Sequence, residues 1–221
     1  MKVTGEDTKV LSCVERTSLV HASLRPISRL LIILAALALS LTYYLPLWTI
    51  SLDAPQYPEG LGIEIWINQM QGQNPNDLNK INNLNHYIGM KKIVPEAIPE
   101  LKIMPWVMRG VLLLGLAVGV FGKRKLLMFW LIVFLLVAFA GFVDFYLWGY
   151  DYGHNLDMEN AIIKVPGMSY QPPLIGSKKL LNFTAISLPG AGGWAAIGSF
   201  LAGLALWIYE IRLYRKVTVH E

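Results

Sequence analysis

The chain has 221 residues, of which 54% are hydrophobic and only 15% are charged, and its formal net charge is +4. This composition is too apolar for an ordinary soluble domain, and the apolar residues form long blocks rather than a periodic pattern. The positive charge does not indicate nucleic-acid binding, because basic residues cluster at the ends of the apolar blocks.

Four apolar blocks predict an all-α transmembrane fold, namely a four-helix membrane bundle in contact with the lipid bilayer. Each block supplies about 20 residues, which is the length a helix needs to cross ~30 Å of hydrocarbon. Helices are expected because backbone polar groups in lipid must be satisfied within the segment. The four predicted spans are residues 29–50, 103–122, 126–148 and 190–209.

Clusters of Lys and Arg lie at one set of span ends, which is the positive-inside pattern. It predicts a bacterial inner-membrane protein with both termini in the cytoplasm. The cytoplasmic parts are then the N-terminal tail (1–28), the loop 123–125 and the C-terminal tail (210–221). The residues that carry this pattern are Arg25, Arg29, Lys123, Arg124, Lys125, Arg212, Arg215 and Lys216.

The first apolar block also begins like a signal peptide, with basic residues and an Ala-Leu-Ala tripeptide at 36–38. That tripeptide lies inside the apolar run, which continues to Ile50 and is too long for a cleaved signal. A membrane anchor is therefore favoured over cleavage. The lone Cys13 lies in the predicted N-terminal tail, so an intramolecular disulfide is excluded.

Two loops, 51–102 and 149–189, are predicted on the extracytoplasmic side, where they form a small cap of mixed and irregular structure. In the first loop, Ile63–Ile67 predicts a short strand. Asn76 or Asp77 is expected to cap a short helix that ends near Gly89. The second loop is rich in proline and aromatic residues, which predicts extended, ordered structure rather than disorder.

Two charged residues lie inside the apolar blocks, Arg109 in the second span and Asp144 in the third. At 1.5 Å per residue both are at a similar depth below the outer interface. Neutralisation of each by the other predicts a structural Arg109–Asp144 ion pair. The alternatives are a polar pocket or ion relay, and an Arg109 side chain that reaches outward to the interface.

His86 and Met90 share a His-x-x-x-Met spacing, which His154 and Met158 repeat, and Met168 adds another thioether. Imidazole and thioether ligands suit Cu(I), and residues four apart share one face of a helix. The spacing also fits methionines that only lie at a membrane interface and histidines that only bond backbone groups. Zinc is disfavoured, because no further strong ligand stands at a recognisable spacing.

No catalytic motif stands out: the sequence has no P-loop, no Gly-rich dinucleotide fingerprint, no metalloprotease motif and no nucleophile elbow. A haem held by two histidines within the spans is excluded, because His86 and His154 lie outside the apolar blocks. We therefore expect a protein that is not an enzyme.

Four loop motifs resemble an uncharacterised family of bacterial integral membrane proteins found in nitrous oxide reductase gene clusters, especially of the Bacteroidetes type. The resemblance extends from about residue 29 to residue 209, and the N-terminal 25 residues fall outside it. The motifs are Ala54–Leu61, Leu84–Met90, Trp148–Leu156 and Val165–Gly176.

The resemblance implies a role in denitrification as an accessory protein for assembly of a periplasmic copper enzyme. It favours Cu(I) as the bound ion, with His86, Met90, His154 and Met168 as ligands and periplasmic copper chaperones or copper-enzyme maturation proteins as partners. Two other functions stay open: a non-catalytic scaffold or small subunit of a membrane complex, and a quinol- or electron-transfer-linked subunit with its site near Arg109 and Asp144.

Overall fold

The computed structural model describes residues 23–165, 167–180 and 183–218. Most of the predicted N-terminal tail lies outside these residues, and so does Cys13. Within the described part, four helices are long and apolar enough to cross a membrane. The prediction of a multi-pass membrane protein is confirmed at this level, by helix length and composition. Large apolar side chains such as Leu136 and Phe139 are exposed on these helices, consistent with contact with lipid.

The first helix, α1 (Pro26–Ala38), begins with a proline, whose fixed φ suits the first turn and whose missing N–H is not needed there. It continues as a 3₁₀ turn over Leu39–Tyr43. The predicted span 29–50 is longer than this helix. Pro46 disfavours a helical conformation at the residue before it, and the chain enters a β-strand from Trp48.

The other helices overlap the predicted ones but differ at their ends. A short helix occupies the first loop as expected, and the helices of the third and fourth spans extend beyond the predicted 126–148 and 190–209. Most of the predicted C-terminal tail therefore continues the last helix. The helices are α2 (Asp77–Tyr87), α3 (Glu100–Phe121), α4 (Arg124–His154) and α5 (Ala191–Thr218), with a 3₁₀ turn at Pro95–Ala97.

The two loops join in one five-stranded antiparallel sheet with the order β3-β2-β1-β5-β4. The all-α fold class is therefore only partly supported, because the cap contains this sheet. The described residues between His154 and Gly176 belong to no helix or strand, in agreement with the irregular structure expected there. The expected strand at Ile63–Ile67 corresponds to the end of β2. The strands are β1 (Trp48–Ala54), β2 (Tyr57–Ile65), β3 (Met70–Gly72), β4 (Gly176–Leu180) and β5 (Phe183–Pro189).

The central strand β1 shows why these residues form a sheet. Ile50 and Leu52 alternate with Ser51, which sends the two apolar side chains to one face. Ile50 is paired with Ile63 on β2 and with Ser187 on β5. Because β1 pairs with a strand from each loop, it holds the two loops in a single sheet.

The chain folds into two compact units. The unit that we call the helical unit combines the described residues up to Leu39 with Arg109–Leu136 and the described residues from Ile197 onward. The unit that we call the mixed unit combines Ser40–Met108 and Val137–Ala196 and contains the whole sheet together with α2.

The helical unit packs around Trp130 of α4, which is fully buried. Its indole N–H donates to the carbonyl of Val111 on α3 at 2.9 Å. A Cβ atom at Gly203 of α5 would lie 2.5 Å from the Trp130 ring, so α5 approaches this closely only because residue 203 has no side chain. Small residues at a helix contact are typical of packing within membranes.

The mixed unit has its own apolar core between the sheet and α2. Its buried residues come from β2, β3 and α2 and from the segment after α2, and half-buried aromatic residues of α4 pack against them. Burial of these side chains is the main driving force for folding of this unit. The buried members are Leu61, Ile63, Met70, Ile81 and Ile93, and the aromatic residues on α4 are Trp148 and Tyr152.

Candidate functional site

The candidate site lies in the mixed unit, where α2 ends and the chain turns toward Met90. Asp77 holds the start of α2, because its buried carboxylate accepts hydrogen bonds from the backbone N–H groups of Gly62 (3.2 Å) and Asn74 (3.0 Å). The helix ends as predicted before Gly89, which has a φ of +76°. His86 is exposed in the last turn of the helix, and Met90 is half-buried.

His154, the last residue of α4, is also exposed. Its Nδ1 lies 3.1 Å from the carbonyl oxygen of Tyr150. A carbonyl only accepts, so Nδ1 carries the proton, and in the neutral ring the lone pair is on Nε2. The imidazole also stacks on the Tyr150 ring, with 4.0 Å between centroids. The ring is therefore held through Nδ1, and the lone pair of Nε2 is available to a metal ion. Metal-binding histidines are commonly oriented in this way.

Backbone hydrogen bonds place the segment around His86 beside the segment after His154. The Asp157 N–H donates to the carbonyl of Gly89 at 2.8 Å, and the Ile163 N–H donates to the carbonyl of Tyr87 at 2.8 Å. A Cβ atom at Gly89 would lie 2.7 Å from the Asp157 carbonyl oxygen. This approach therefore requires glycine at residue 89 for both its φ and its lack of a side chain.

Side chains reinforce the same pairing. The Lys91 ammonium lies 2.7 Å from the Asp151 carboxylate, and the Tyr152 hydroxyl donates to the carbonyl of Lys92 at 3.2 Å. The ion pair is exposed, so it adds little to stability by itself. Both contacts align the segment after α2 with the end of α4.

The segment that contains Met168 approaches the same helix end. The Tyr170 N–H donates to the carbonyl of Gly153 at 3.0 Å, next to His154. A Cβ atom at Gly153 would lie 2.4 Å from the backbone of Gln171, so this approach also depends on glycine. The backbone thus brings together the three segments that contain His86, Met90, His154 and Met168.

Asp157 organises the turn after α4. Its carboxylate accepts from the Asn160 side-chain amide (2.8 Å) and from the backbone N–H groups of Glu159 and Asn160 (both 3.1 Å). These hydrogen bonds, that of the Asn160 side chain first, lower the pKa of Asp157 below its ordinary value. The charged form of Asp157 therefore favours the turn that faces Gly89.

Within the described residues, no group of three or more His, Cys, Asp or Glu side chains lies close enough to hold a metal ion. The predicted copper ligands are of a different kind, two imidazoles and two thioethers. Such soft, neutral ligands suit Cu(I) rather than a hard divalent cation. The copper assignment thus stays a prediction.

Arg109 lies on α3 and Asp144 on α4, and both are exposed in the protein, on helices that are candidate membrane spans. Their pairing also stays a prediction. The helical unit contains a buried ion pair that the sequence did not indicate, between Arg124 and Glu210, with 3.1 Å between Nη2 and Oε2. Their side chains are only 8% and 1% exposed.

Two further donors complete this cluster. The Ser28 hydroxyl donates to Glu210 Oε1 at 2.6 Å, and the Arg25 backbone N–H donates to the same oxygen at 3.3 Å. The Glu210 carboxylate is thus bonded by residues of the first and third long helices and of the segment before α1. The available sequence signal was the apolar spacing of Ile208, Ile211 and Leu213, which continues α5 past its predicted end.

No family model matches this chain, and no curated protein matches it either. The described residues contain four helices long and apolar enough to cross a membrane, which suggests a multi-pass membrane protein, together with a five-stranded antiparallel sheet. The proposed function therefore rests on the geometry of the three segments around His86 and His154 and on the loop motifs.

Proposed function

We propose that this protein is a non-catalytic accessory protein of the bacterial inner membrane that binds Cu(I) for maturation of a periplasmic copper enzyme such as nitrous oxide reductase. The site is formed by His86 and His154, with Met90 and Met168 as thioether ligands. The observation that carries the proposal is the hydrogen-bonded approach of their three segments, through Gly89–Asp157 and Gly153–Tyr170.

The chemistry of the residues supports Cu(I). His154 has its Nδ1 bonded to the Tyr150 carbonyl and offers Nε2. Thioethers add soft donors with no charge, so the ion is bound without deprotonation of any ligand. We propose that copper is the cargo, passed on to a periplasmic chaperone or another maturation protein, since such ligands exchange readily.

The orientation in the membrane is part of the proposal. Basic residues at 25, 29, 123–125, 212, 215 and 216 support cytoplasmic termini by the positive-inside rule. The mixed unit then faces the periplasm, where a copper-loaded partner is found. The loop motifs resemble a family found in nitrous oxide reductase gene clusters, and this resemblance adds the link to denitrification.

Titration of the purified protein in detergent with Cu(I), against a chromophoric Cu(I) chelator, tests the proposal. We expect one Cu(I) per chain and an affinity at least about tenfold weaker in the His86→Ala/His154→Ala double variant. The matched control is His21→Ala/His220→Ala, which removes the other two of the four histidines and leaves the affinity unchanged. Equal affinity in both double variants would overturn the proposal.

The scaffold alternative rests on exposed aromatic residues beside the two histidines, Tyr87 and Tyr150. Aromatic side chains are enriched at the centres of protein interfaces. A partner that co-purifies with wild type and with the His86→Ala/His154→Ala variant, but not with a Tyr87→Ala/Tyr150→Ala variant, would favour this function over copper binding.

A further inference from the structure

A small cavity lies inside the mixed unit, between the sheet and the helices that cover it. Its volume is about 80 Å³. Ile50 and Ile63 of the sheet form one wall, and Ile81 of α2 forms part of another. No charged residue lines it among the residues that the structure describes. Met90 of the proposed copper set also lines it, whereas the exposed His86 and His154 do not.

Two hydrogen-bond donors at this cavity lack a well-aligned hydrogen bond in the described part of the chain. Tyr170 lines it, is only 3% exposed, and its buried hydroxyl makes no hydrogen bond to any described residue. Trp148 also lines it, and its buried indole Nε1 interacts with the Tyr152 side chain but forms no well-aligned hydrogen bond to any described residue. Buried polar groups are paired in the great majority of cases, so two such donors at one cavity require a physical reason.

The neighbouring Tyr152 shows the ordinary case. Its ring packs on Trp148 with 4.5 Å between centroids, and it lines the same cavity. Its hydroxyl, however, donates to the Lys92 carbonyl at 3.2 Å. Within one cavity, the structure thus satisfies the Tyr152 hydroxyl internally and leaves the Tyr170 hydroxyl without a partner among the described residues.

We propose that this cavity binds a small, neutral, mostly apolar molecule with a carbonyl-type oxygen, which accepts hydrogen bonds from Tyr170 and Trp148. A carbonyl oxygen has two lone pairs and can accept from either donor or from both. The ligand is neutral because the described lining residues offer no counter-charge to an ion.

The size of the cavity limits the ligand. An apolar cavity of ~150 Å³ holds benzene, so one of about half that volume takes a molecule of about three or four non-hydrogen atoms. Drug-sized ligands and cofactor rings need ~300 Å³ or more and are too large to be enclosed here. Acetone is a suitable probe, and isobutene has the same shape with a methylene group in place of the oxygen.

The indole N–H of Trp148 reports binding directly. In a ¹⁵N–¹H spectrum of the whole protein in detergent, its signal is identified by its loss in Trp148→Phe. We expect acetone to move this signal downfield in a saturable way, because the N–H gains an acceptor, and isobutene to give no such downfield shift. Tyr170→Phe, which keeps the ring and removes the hydroxyl, should weaken acetone binding about fivefold.

Tyr152→Phe is the matched control, since it removes a hydroxyl that already donates to the Lys92 carbonyl, and it should leave acetone affinity within about twofold. Because Tyr152 also contacts the Trp148 indole, this control is judged by the acetone affinity and not by the position of the Trp148 signal. No saturable shift with acetone would overturn the proposal. Equal binding of isobutene and acetone would also overturn it, because the cavity would then select only by shape. Equal losses of acetone affinity in Tyr170→Phe and Tyr152→Phe would do the same, because the Tyr170 hydroxyl would then have no special role. Copper is absent from these measurements, so their failure leaves the proposed function untouched.

Discussion

One buried polar cluster in the helical unit and one in the mixed unit are satisfied to different degrees. In the helical unit, the Glu210 carboxylate is satisfied by Arg124, by the Ser28 hydroxyl and by the Arg25 N–H. In the mixed unit, the Tyr170 hydroxyl and the Trp148 indole lie beside a cavity without a well-aligned hydrogen bond to any described residue. A closed network holds helices together, whereas unpaired donors leave bonding capacity for a ligand. The first cluster has a structural role, and the second carries the binding that we propose.

The largest loss of stability is expected when the hydrogen-bonded cluster around Glu210 is disrupted. Glu210→Gln leaves the Arg124 guanidinium buried without its counter-charge, so we expect the free energy of unfolding to fall by about 3–5 kcal/mol. Denaturant titration in detergent measures it. The double variant Arg124→Leu/Glu210→Leu should lose less than the single one, because no charge is then left in the interior.

A loss of under about 1 kcal/mol in Glu210→Gln would contradict a stabilising role for the ion pair. The hydrogen bond from the Ser28 hydroxyl would then be sufficient to hold the helices together. A double variant less stable than the single one would also contradict it, because the packing of the two side chains would then matter more than their charges.

Hydropathy was enough to predict the four long helices, because a span of about 20 apolar residues carries its own signal. The sheet was missed because its pairing is not local: β1 lies at the end of the first apolar block, and its partner β5 precedes the fourth. Residues Trp48–Ile50 therefore looked like the end of a span. The helix α2 and its stop at Gly89 were predicted from local turn residues. The predicted cap was not found, because the Asn76 side chain makes no capping hydrogen bond and the Asp77 carboxylate accepts from Gly62 and Asn74 instead.

The site was predictable only in part, for the same reason. His86 and His154 were singled out by their spacing to Met90 and Met158, but nothing in the sequence shows that Gly89 bonds to Asp157. Arg124 stood in a basic triplet that reads as a solvated loop, and Glu210 stood one residue past the predicted end of the last span. Their burial follows from tertiary packing, which composition does not encode.

A smaller effect is expected at Gly89, which brings the two histidine segments together. Gly89→Ala forces an alanine to a φ of +76° and places its Cβ 2.7 Å from the Asp157 carbonyl oxygen. We expect a loss of about 1–3 kcal/mol in the free energy of unfolding, together with weaker Cu(I) binding. The chelator competition described above measures the second quantity.

Gly60→Ala is the matched control for this substitution. Gly60 has a φ of +75°, but a Cβ atom there meets nothing within 4 Å. It should show the conformational cost of a positive φ alone, about 1 kcal/mol, with unchanged Cu(I) affinity. Equal Cu(I) affinity in both glycine variants would show that the approach of Gly89 to Asp157 is not what forms the copper site.

The smallest effect is expected in the turn after α4, where Asp157 lies against Gly89. The pKa of Asp157 lies below its ordinary value of 3.8, chiefly because the Asn160 side chain donates to it. A lowered pKa in the folded protein means that these hydrogen bonds stabilise the turn above pH 3.8, and that this stabilisation is lost as the pH falls through the folded-state pKa. Asn160→Ala should raise the pKa of Asp157 toward 3.8, while the backbone N–H groups of Glu159 and Asn160 keep it somewhat below. An NMR titration of the Asp157 carboxyl carbon measures it. An unchanged pKa would show that the backbone donors alone hold the carboxylate, and the turn that faces Gly89 would then depend on the main chain rather than on the Asn160 side chain.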